Sequence, residues 1–338
     1  MTDAAVGVVV LAWQGEPWLE ECLDAVLAST GVDVHLIVVD NGCTRADFKQ
    51  LVAERNVRVL TPGVNTGFAG GCNLGAAALT TDYLALVNSD CAVAPHALAQ
   101  LVAEARNPDV GPVMASVRHA DRPELINSAG NPVHILGVSW AGGLDESETR
   151  TAPFDVTGAS GAALLLRRSL WLELGGFDET YFAYLEDTEL SLRCLRIGLR
   201  ARCVPTATAR HHYEFSRNAT KMYLLERNRL MLLVTMWPLR ALVMLAPLIV
   251  ALECGILVQA ISQGWGKQKV RAWYWICKHR KDLRRSRNRV RTAASVPDTA
   301  WMTALTPRLD PHVIGSTHWT KAVNGVVAGY WWWILRWI

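Results

Sequence analysis

Three acidic side chains, Glu186, Asp187 and Glu189, lie in a segment that offers them two different uses. A glycine pair and an aromatic, apolar stretch precede them over residues 175–185, and a run typical of a helix follows. Acids in the first turn of a helix are stabilised by its positive end, so these side chains could cap the helix. A carboxylate held among aromatic side chains can instead be tuned as a general base. The segment by itself leaves both uses open.

Two further acids follow predicted strands near the N-terminus. Asp40 ends the apolar run 34–39, and Asp90 comes shortly after the apolar run 83–87. Each acid alone could be a helix cap or a turn residue. Ligands of parallel α/β sheets bind beyond the carboxyl ends of the strands. Two acids at two such ends therefore favour a ligand site.

Glycines and histidines supply the remaining candidate chemistry. The segment T-G-F-A-G-G at 66–71 gives a flexible backbone that can approach a phosphate or a sugar closely. Its spacing does not match G-x-G-x-x-G, and no G-K-S/T occurs, so neither a dinucleotide fold nor a P-loop is supported. The pair His211-His212 suits a loop or partner contact, and a metal site is the alternative.

The elements that must position these residues alternate along the chain. Short apolar runs predict strands at 6–11, 34–39, 57–60, 83–87, 135–140, 162–166 and 200–204. Helical spacing over the N-terminal part predicts helices at 17–29, 47–55 and 69–79. Strands that alternate with helices indicate an α/β sheet with right-handed crossovers.

Composition limits the class of protein. The chain has 338 residues, 51% of them hydrophobic and 19% charged, so it is long enough for one large or two modest domains and is not disordered. None of its eight cysteines forms a C-x-x-C pair, which argues against a zinc knuckle or a redox motif. Scattered cysteines in a chain of this size indicate a reducing compartment. The first apolar run lacks the basic flank of a signal peptide, so we expect the N-terminal part to be cytosolic.

The C-terminal third differs in kind. The window 267–291 holds eleven lysines or arginines and one acid, a net charge of +10, and ten of the fourteen tryptophans lie after residue 236. Basic residues interleaved with tryptophan suit an anionic membrane surface or a nucleic acid. An adjoining apolar run over residues 241–261 favours the membrane over the nucleic acid.

That apolar run carries a single charge, Glu253, and is long enough to span a bilayer. One span would put the basic window on the side opposite the N-terminal domain, contrary to the positive-inside rule. Two spans would each be about 15 Å of helix against about 30 Å of hydrocarbon. We therefore expect a helical hairpin or in-plane helices at the cytosolic leaflet, with the aromatic segment 326–338 as a further anchor. Packing on the domain or on a dimer partner is the alternative.

Six segments, in one order, resemble the family 2 glycosyltransferases with a GT-A fold, and within them the bacterial rhamnosyltransferase-like group. The resemblance covers about residues 6–237. The segments are V-V-D-N-G at 38–42, N-T-G-F-A-G-G-C-N at 65–73, V-N-S-D at 87–90, G-G-F-D-E at 175–179 with E-D at 186–187, the stretch 205–216, and E-R-N-R at 226–229. Each segment alone is a weak signal, and the series is a strong one.

The resemblance implies a fold class and a division of the chain. We expect an α/β protein with the GT-A nucleotide-diphospho-sugar transferase fold, built on a mixed, mostly parallel central sheet, over residues 1–237. Membrane-associated helices, apolar and then basic and rich in tryptophan, would follow over residues 238–338.

The resemblance also implies roles at the reacting centre. Asp187 would be the base that takes the proton from the acceptor hydroxyl in an inverting displacement. Asp90 and His211 would bind a divalent cation, Mg²⁺ or Mn²⁺, at the donor diphosphate. His211 is favoured because it lies five residues before Ser216, and His212 is the fallback.

Further residues would surround that centre. The residues implied on the nucleotide-sugar side are Ala12, Asp40, Asn41, Gly67, Phe68, Asn73, Asn88 and Ser89. Those implied beside the donor sugar or the acceptor are Ala159, Ser160 and Glu186. Arg227 and Arg229 would hold phosphates of the donor or of a lipid diphosphate.

Three positions depart from the family pattern. Asn88 replaces the first acid of the D-x-D motif, which weakens the expected metal affinity. Cys72 stands where asparagine is usual, and Glu189 where aspartate is usual. No Q-x-x-R-W follows the acidic helix, which argues against a processive polysaccharide synthase.

Together these features predict an inverting, metal-dependent, non-processive glycosyltransferase. It would move L-rhamnose from dTDP-rhamnose to a polyprenyl-diphosphate-linked or other cell-envelope glycan acceptor. The alternatives are galactofuranosyl or other hexosyl transfer on the same fold, or a non-catalytic membrane scaffold. We expect a nucleotide-sugar donor, a lipid-linked acceptor and an anionic membrane surface as partners, and no nucleic acid. The protein would be peripheral or monotopic at the cytoplasmic face, and a homodimer stays open.

Overall fold

The structure, a computed structural model, describes residues 3–212, 218–310 and 318–338. The chain divides into two compact units. The first unit comprises Met1–Asn131, Ala141–Cys194 and Leu199–Glu214, and the second comprises Pro132–Trp140, Leu195–Gly198 and Phe215–Ile338. The domain division expected at residue 237 stays a prediction. Ser216, which the sequence analysis used to favour His211, lies outside the described residues.

The first unit is built on a mixed sheet. Its strands in the described residues are β1 Ala4–Gln14, β2 Val32–Cys43, β3 Arg58–Leu60, β4 Tyr83–Val87, β5 Cys91–Val93, β6 Val110–His119, β7 Ile126–Ser128, β8 Phe154–Val156, β9 Ala163–Arg167 and β10 Arg200–His211. Their order is β3-β2-β1-β4-β9-β6-β10-β5, with β7 paired to β6 and β8 to β10. The strands from β3 to β4 are parallel, and β9 runs antiparallel to both of its neighbours.

Helices pack on this sheet. They are α1 Leu19–Leu27, α2 Phe48–Glu54, α3 Gly67–Ala77, α4 Ala97–Ala105, α5 Arg168–Leu174 and α6 Glu186–Arg196. β1 is buried over most of its length because its valines meet side chains on both faces of the sheet. The α/β architecture predicted from the alternating runs is confirmed.

The glycine-rich stretch has a packing role that the sequence analysis did not foresee. α3 begins at Gly67 rather than after the glycines, so Gly71 and Gly75 lie one turn apart inside the helix. A Cβ atom at Gly75 would lie 2.4 Å from Val9 Cγ1, and one at Gly71 would lie 2.5 Å from Leu11 Cδ2. The two glycines therefore allow α3 to lie directly on β1.

One predicted strand is wrong. Residues 135–140 form no strand, and the segment folds back on itself through a bridge between Val133 and Ser139. Gly137, at φ +77°, permits the turn. The segment belongs to the second unit, where Ile135 accepts a hydrogen bond from Trp237 Nε1. Its apolar side chains are buried by this packing rather than by a sheet.

The described elements of the second unit are helical. They are α7 Ala219–Met236, α8 Leu239–Ser262, α9 Gly266–Lys278, α10 Arg280–Thr292, α11 Asp298–Met302 and α12 His318–Ile334. Trp237 and Trp301 meet edge to face at its centre, with ring centroids 5.8 Å apart.

The apolar run forms one continuous helix, α8, so the hairpin expected as one alternative is wrong. Pro247 lies inside α8 without ending it, since a helix can continue past a proline at the loss of one backbone hydrogen bond. Among the described helices, α8 is the one that is long and apolar enough to cross a membrane. The alternative of an in-plane helix stays a prediction.

Candidate active site

Two predicted metal ligands meet at one edge of the sheet. Asp90 lies in the turn between β4 and β5, and β10 runs antiparallel to β5, with His211 paired to Cys91. This pairing brings His211 Nε2 to 3.0 Å from Asp90 Oδ1. The backbone N–H of His212 donates to the carbonyl oxygen of Asp90, which fixes the turn. The structure therefore joins two residues that are 121 positions apart.

The tautomer of His211 follows from its second contact. Its Nδ1 lies 3.0 Å from Asn127 Oδ1 on β7, and an amide oxygen only accepts, so Nδ1 carries the hydrogen. In a neutral ring, Nε2 then presents a lone pair to the carboxylate of Asp90. Such an arrangement is stable only with a proton or a cation between the two atoms. The sequence analysis missed Asn127, because the segment around it carries no regular pattern.

The electrostatics of Asp90 agree with that geometry. Burial pushes the pKa of Asp90 up, but the hydrogen bond and charge of His211 outweigh burial and hold that pKa below its ordinary value. In the described part of the chain, the buried Oδ1 atom of Asn88 has no hydrogen-bond partner. A carboxylate, an imidazole nitrogen and an amide oxygen are donors that fit Mg²⁺ or Mn²⁺. No group of three or more His, Cys, Asp or Glu side chains gathers for a metal within those same described ranges.

The fallback ligand His212 has other contacts. Its ring stacks on Trp18 with centroids 3.6 Å apart, and its Nε2 lies 2.9 Å from Glu21 Oε2. The geometry therefore favours His211 over His212 as the residue that faces Asp90.

The predicted base, Asp187, lies in the first turn of α6. Its Oδ2 accepts from Gly161 N at 2.8 Å, and its Oδ1 accepts from Thr188 N at 2.6 Å and Thr188 Oγ1 at 3.2 Å. Burial raises the pKa of Asp187, and these hydrogen bonds oppose the increase. The result is an oriented carboxylate that is more basic than an exposed aspartate.

Glu186, the neighbour of Asp187, differs from it in its hydrogen bonds. Its side chain is buried, and among the described residues its Oε2 has no hydrogen-bond partner. Burial, and then the charge of Asp187, raise the pKa of Glu186 well above its ordinary value. Of the two adjacent carboxyl groups, Glu186 is therefore the one whose neutral form the surroundings favour more strongly.

The loop before α6 has an unusual backbone. Phe182, Tyr184 and Leu185 have φ values of +64°, +72° and +68°, which side-chain-bearing residues rarely adopt. Ala69 N–H, in the first turn of α3, donates to the carbonyl oxygen of Phe182 at 3.1 Å. Strain of this kind persists only where surrounding contacts fix it, and it is frequent at functional sites.

Two side chains fix the start of the same loop. Asn73 donates from Nδ2 to the carbonyl of Phe177 and accepts from its N–H, both at 3.0 Å. Arg193 donates to the carbonyl oxygens of Leu174 and Gly176, both at 2.7 Å, and pairs with Glu189. These hydrogen bonds give Asn73 a structural role in the loop. Its predicted contact with the nucleotide stays a prediction. The sequence analysis missed Arg193.

The predicted nucleotide residues of β2 hold the adjoining turns. Asn41 accepts from Thr66 N at 2.8 Å and donates to Gly67 O at 2.9 Å. Asp40 accepts from Cys43 N at 2.9 Å, and it pairs in register with the buried Ala12. The half-exposed Trp13, which the sequence analysis did not single out, lies beside Gly42.

The small-residue loop over 157–161 packs against the start of α6. Ala159 N donates to Ser191 Oγ at 3.0 Å, and the backbone of Gly161 lies against the ring of Phe68 as well as against Asp187. Ser160 is half-buried in this loop, and Ser89 is half-buried in the turn that carries Asp90. The predicted sugar-side residues Ala159 and Ser160 thus lie in a loop that contacts the predicted base, Asp187.

The predicted phosphate ligands lie in the second unit, on α7. Arg229 is buried and pairs with Glu226 at 3.0 Å and with Glu253. Arg227 is buried against the rings of Tyr223 and Trp275. A phosphate role for either arginine stays a prediction.

Comparison with known proteins gives the relationship of the chain. A family model described as glycosyl transferase family 2 matches residues 7–175, half of the chain. The N-acetylglucosaminyl-diphospho-decaprenol L-rhamnosyltransferase of Mycobacterium tuberculosis is 30% identical over 240 residues, which cover 63% of this chain and 77% of the relative. The galactofuranosyltransferase GlfT1 of the same organism is 30% identical over 208 residues, covering 59% of this chain and 67% of the relative.

Two solved structures share the fold. GalNAc-T7 with UDP, GalNAc and Mn²⁺ superposes with a TM-score of 0.60 at 17% identity, covering 70% of this chain and 48% of that chain. The mannosyltransferase PcManGT from Pyrobaculum calidifontis, in complex with GDP-Man and Mn²⁺, superposes with a TM-score of 0.51 at 14% identity. It covers 96% of this chain and 85% of that chain.

The contact between α3 and the strained loop gives a first testable prediction. A Cβ atom at Gly67, whose φ is +73°, would lie 2.3 Å from Phe182 O. We expect Gly67→Ala to displace the loop and to cost more than about 2 kcal/mol, because a steric clash adds to the backbone strain of about 1–2 kcal/mol. Gly63→Ala is the matched control, with φ +79° and open space around the added atom. Urea unfolding of both variants measures the difference, and equal losses would show that the contact with Phe182 is unimportant.

The protonation of Glu186 gives a second prediction. A carboxyl whose pKa is raised in the folded state contributes stability that is full below its unfolded pKa and is lost as pH rises through the folded pKa. Glutamine has no carboxyl group to ionise, so the Glu186→Gln variant should not lose stability in this way as the pH rises. We expect the melting temperature of this variant to exceed that of the parent by a few degrees at pH 8, and by less at pH 5. Glu173→Gln on α5, which is exposed, should show no such trend. A variant less stable than the parent at every pH would show that Glu186 is ionised in the folded protein.

Proposed function

This chain belongs to glycosyl transferase family 2, and we propose that it is an inverting rhamnosyltransferase. It would move L-rhamnose from dTDP-rhamnose to a polyprenyl-diphosphate-linked acceptor of the cell envelope. The observation that carries the chemistry is the oriented, half-buried carboxylate of Asp187, with Gly161 and Thr188 as its donors. The mycobacterial rhamnosyltransferase, matched over 77% of its length, supports the choice of sugar and acceptor.

The proposed reaction is a single displacement. Asp187 accepts the proton of the acceptor hydroxyl while that oxygen attacks the anomeric carbon of the donor sugar. The bond between this carbon and the diphosphate oxygen breaks on the opposite side, so the anomeric configuration inverts. The raised pKa of Asp187 suits a general base, since the best catalytic base has a pKa near the working pH.

Asp90 and His211 would hold a divalent cation at the donor diphosphate. A bound Mg²⁺ or Mn²⁺ supplies positive charge that stabilises the departing nucleoside diphosphate. Asn127 fixes the His211 ring so that Nε2 faces Asp90. Metal-binding histidines are commonly oriented in this way by a group that binds the other ring nitrogen. The two solved structures compared above, GalNAc-T7 and PcManGT, contain Mn²⁺.

The other side chains of the site have supporting roles in this proposal. Asp40 would accept from the nucleobase at the end of β2, with Trp13 as a neighbouring aromatic surface. A protonated Glu186, favoured by its raised pKa, would leave Asp187 as the charged member of the pair. Ala159 and Ser160 would border the sugar, because their loop adjoins the base.

Galactofuranosyl transfer is the second candidate. GlfT1 matches at the same identity as the rhamnosyltransferase, although over a smaller share of its length. Both candidates use the same base and the same cation site, so the site geometry does not separate them. The mass and linkage of the product decide between them.

We place the enzyme at the cytoplasmic face of the membrane. A lipid-linked acceptor lies in the membrane, whereas a nucleotide sugar is water-soluble, so the two meet at a membrane surface. The apolar helix α8 and the basic, tryptophan-rich helices after it supply a surface of the matching kind.

A donor screen tests the proposal. We expect dTDP-rhamnose to raise the melting temperature of the purified full chain in the presence of Mn²⁺ and much less in its absence. Asp90→Ala should lose this Mn²⁺-dependent shift, because it removes a proposed cation ligand. Stabilisation by UDP-galactofuranose instead would support the second candidate. No stabilisation by any nucleotide sugar would contradict both.

Removal of the base gives a further prediction. Asp187→Asn should lower kcat by about 10²–10⁴-fold, the usual contribution of a general base, with donor binding retained. Asp82→Asn, at an exposed site before β4, is the matched control and should keep full activity. Transfer of rhamnose to a polyprenyl-diphosphate acceptor, followed by mass spectrometry, measures both. Full activity of Asp187→Asn would assign the base elsewhere.

A further inference from the structure

Glu253, the one charge near the middle of α8, is bound on both sides by other helices. Its Oε1 accepts from Arg229 of α7, and its Oε2 accepts from Lys269 of α9 at 2.8 Å and from Trp273 Nε1. Lys269 is fully buried and also pairs with Glu226. Two carboxylates and two cations therefore form a closed, electrically neutral cluster, which we call the Glu253 cluster. Its members are Glu226, Arg229, Glu253 and Lys269.

The cluster holds Glu253 in its charged form. Burial pushes the pKa of Glu253 up, but the charge of Arg229 and the hydrogen bonds of Lys269 and Trp273 hold it below its ordinary value. Removal of Arg229 or of Lys269 would leave a buried negative charge uncompensated, which is strongly destabilising. The contacts are therefore a firm attachment of α8 to α7 and α9.

This attachment would make a membrane span costly. α8 has 24 residues, about 36 Å of helix, and Glu253 lies about 14 Å from its C-terminal end. In a span of about 30 Å of hydrocarbon, Glu253 would lie near the midplane. α9 returns beside α8 through Lys269 and Trp273, so it would enter the hydrocarbon too, together with its exposed Lys267 and Arg271. Cations at that depth are costly.

One face of α8 is nevertheless apolar and exposed. With 100° per residue, its exposed large side chains fall within an arc of about 100°. These side chains are Leu239, Val243, Val250, Val258 and Ile261. We call this set the α8 outer face.

Neighbouring helices add the other features of a membrane interface. α12 contacts α8 through Tyr330 Oη, which donates to Met244 O, and it carries the exposed Trp332 and Trp333. α9 and α10 present exposed cations, namely Lys267, Arg271, Lys278, Arg280, Lys281, Arg284, Arg285, Arg289 and Arg291. Exposed tryptophan, an apolar helix face and a large positive charge together match anionic phospholipid.

We propose that α8 lies in the plane of the cytoplasmic monolayer, with the α8 outer face among the lipid chains and both helix ends on the cytoplasmic side of the membrane. The Glu253 cluster fixes which side of α8 faces the protein. The occupant of the outer face is anionic phospholipid. This inference deepens the membrane placement of the proposed function and is independent of the sugar transferred.

Labelling of the two helix ends tests the topology. In the full chain with the exposed Cys254 and Cys277 changed to serine, Arg240→Cys and Ser262→Cys place a thiol near either end of α8, outside the outer face. An impermeant maleimide should label both thiols in inverted membrane vesicles and neither in spheroplasts. Labelling of one end in spheroplasts would establish a span and overturn the proposal.

Vesicle flotation of the purified full chain tests the occupant. We expect binding to vesicles that contain phosphatidylglycerol and at least about tenfold weaker binding by Val250→Glu or Val258→Glu, because each change removes an apolar contact with the lipid chains and brings a charge to them. Val64→Glu, at an exposed valine of the first unit, is the matched control and should bind like the parent. Melting curves establish that the variants fold.

The flotation outcomes also separate lipid from protein. Equal vesicle binding by the parent, Val250→Glu and Val258→Glu would contradict the proposal. A parent dimer that Val250→Glu converts to monomer, with vesicle binding unchanged, would assign the outer face to a second copy instead. Loss of vesicle binding without any change in sugar transfer to a water-soluble acceptor would support the membrane role separately from catalysis.

Discussion

The close approach of α3 to the loop before α6 is the contact on which the site depends. Gly67 leaves room for the carbonyl of Phe182, and Ala69 N–H binds that carbonyl. The same turn is held from the other side by Asn41. The predicted nucleotide residues and the predicted base, Asp187, are therefore parts of one packed structure. A loop with three left-handed residues keeps its shape because these contacts leave it no alternative.

The electrostatic environment gives the three carboxyl groups of the site different properties. The imidazole of His211 lowers the pKa of Asp90, three protein hydrogen bonds oppose the rise in the pKa of Asp187, and burial raises the pKa of Glu186, whose Oε2 has no hydrogen-bond partner among the described residues. One carboxylate suits a cation and another suits a proton. The chemistry follows from these surroundings rather than from residue type.

Sequence reasoning reached the alternating fold and the residues at strand ends, because apolar runs and strand termini are local signals. It also brought Asp90 and His211 together, through the resemblance of whole segments. It missed Asn127 and Arg193, whose partners come from distant strands and loops without any local pattern. The segment 135–140 was misassigned because a short apolar run is equally consistent with a strand and with a buried turn.

The same limit explains why hydropathy alone gives an incomplete account of α8. A run of 24 residues satisfies the length of a span, and Glu253 then looks like a single defect in it. Its counter-ions, Arg229 and Lys269, lie 24 and 16 residues away on other helices, so only the fold shows that the charge is matched. In the placement proposed above, a helix bound in this way at its middle would keep its two ends on one side of the membrane. A water-soluble nucleotide sugar and a lipid-linked acceptor would meet on that same side, so the buried ion cluster would support the membrane placement that the proposed reaction needs.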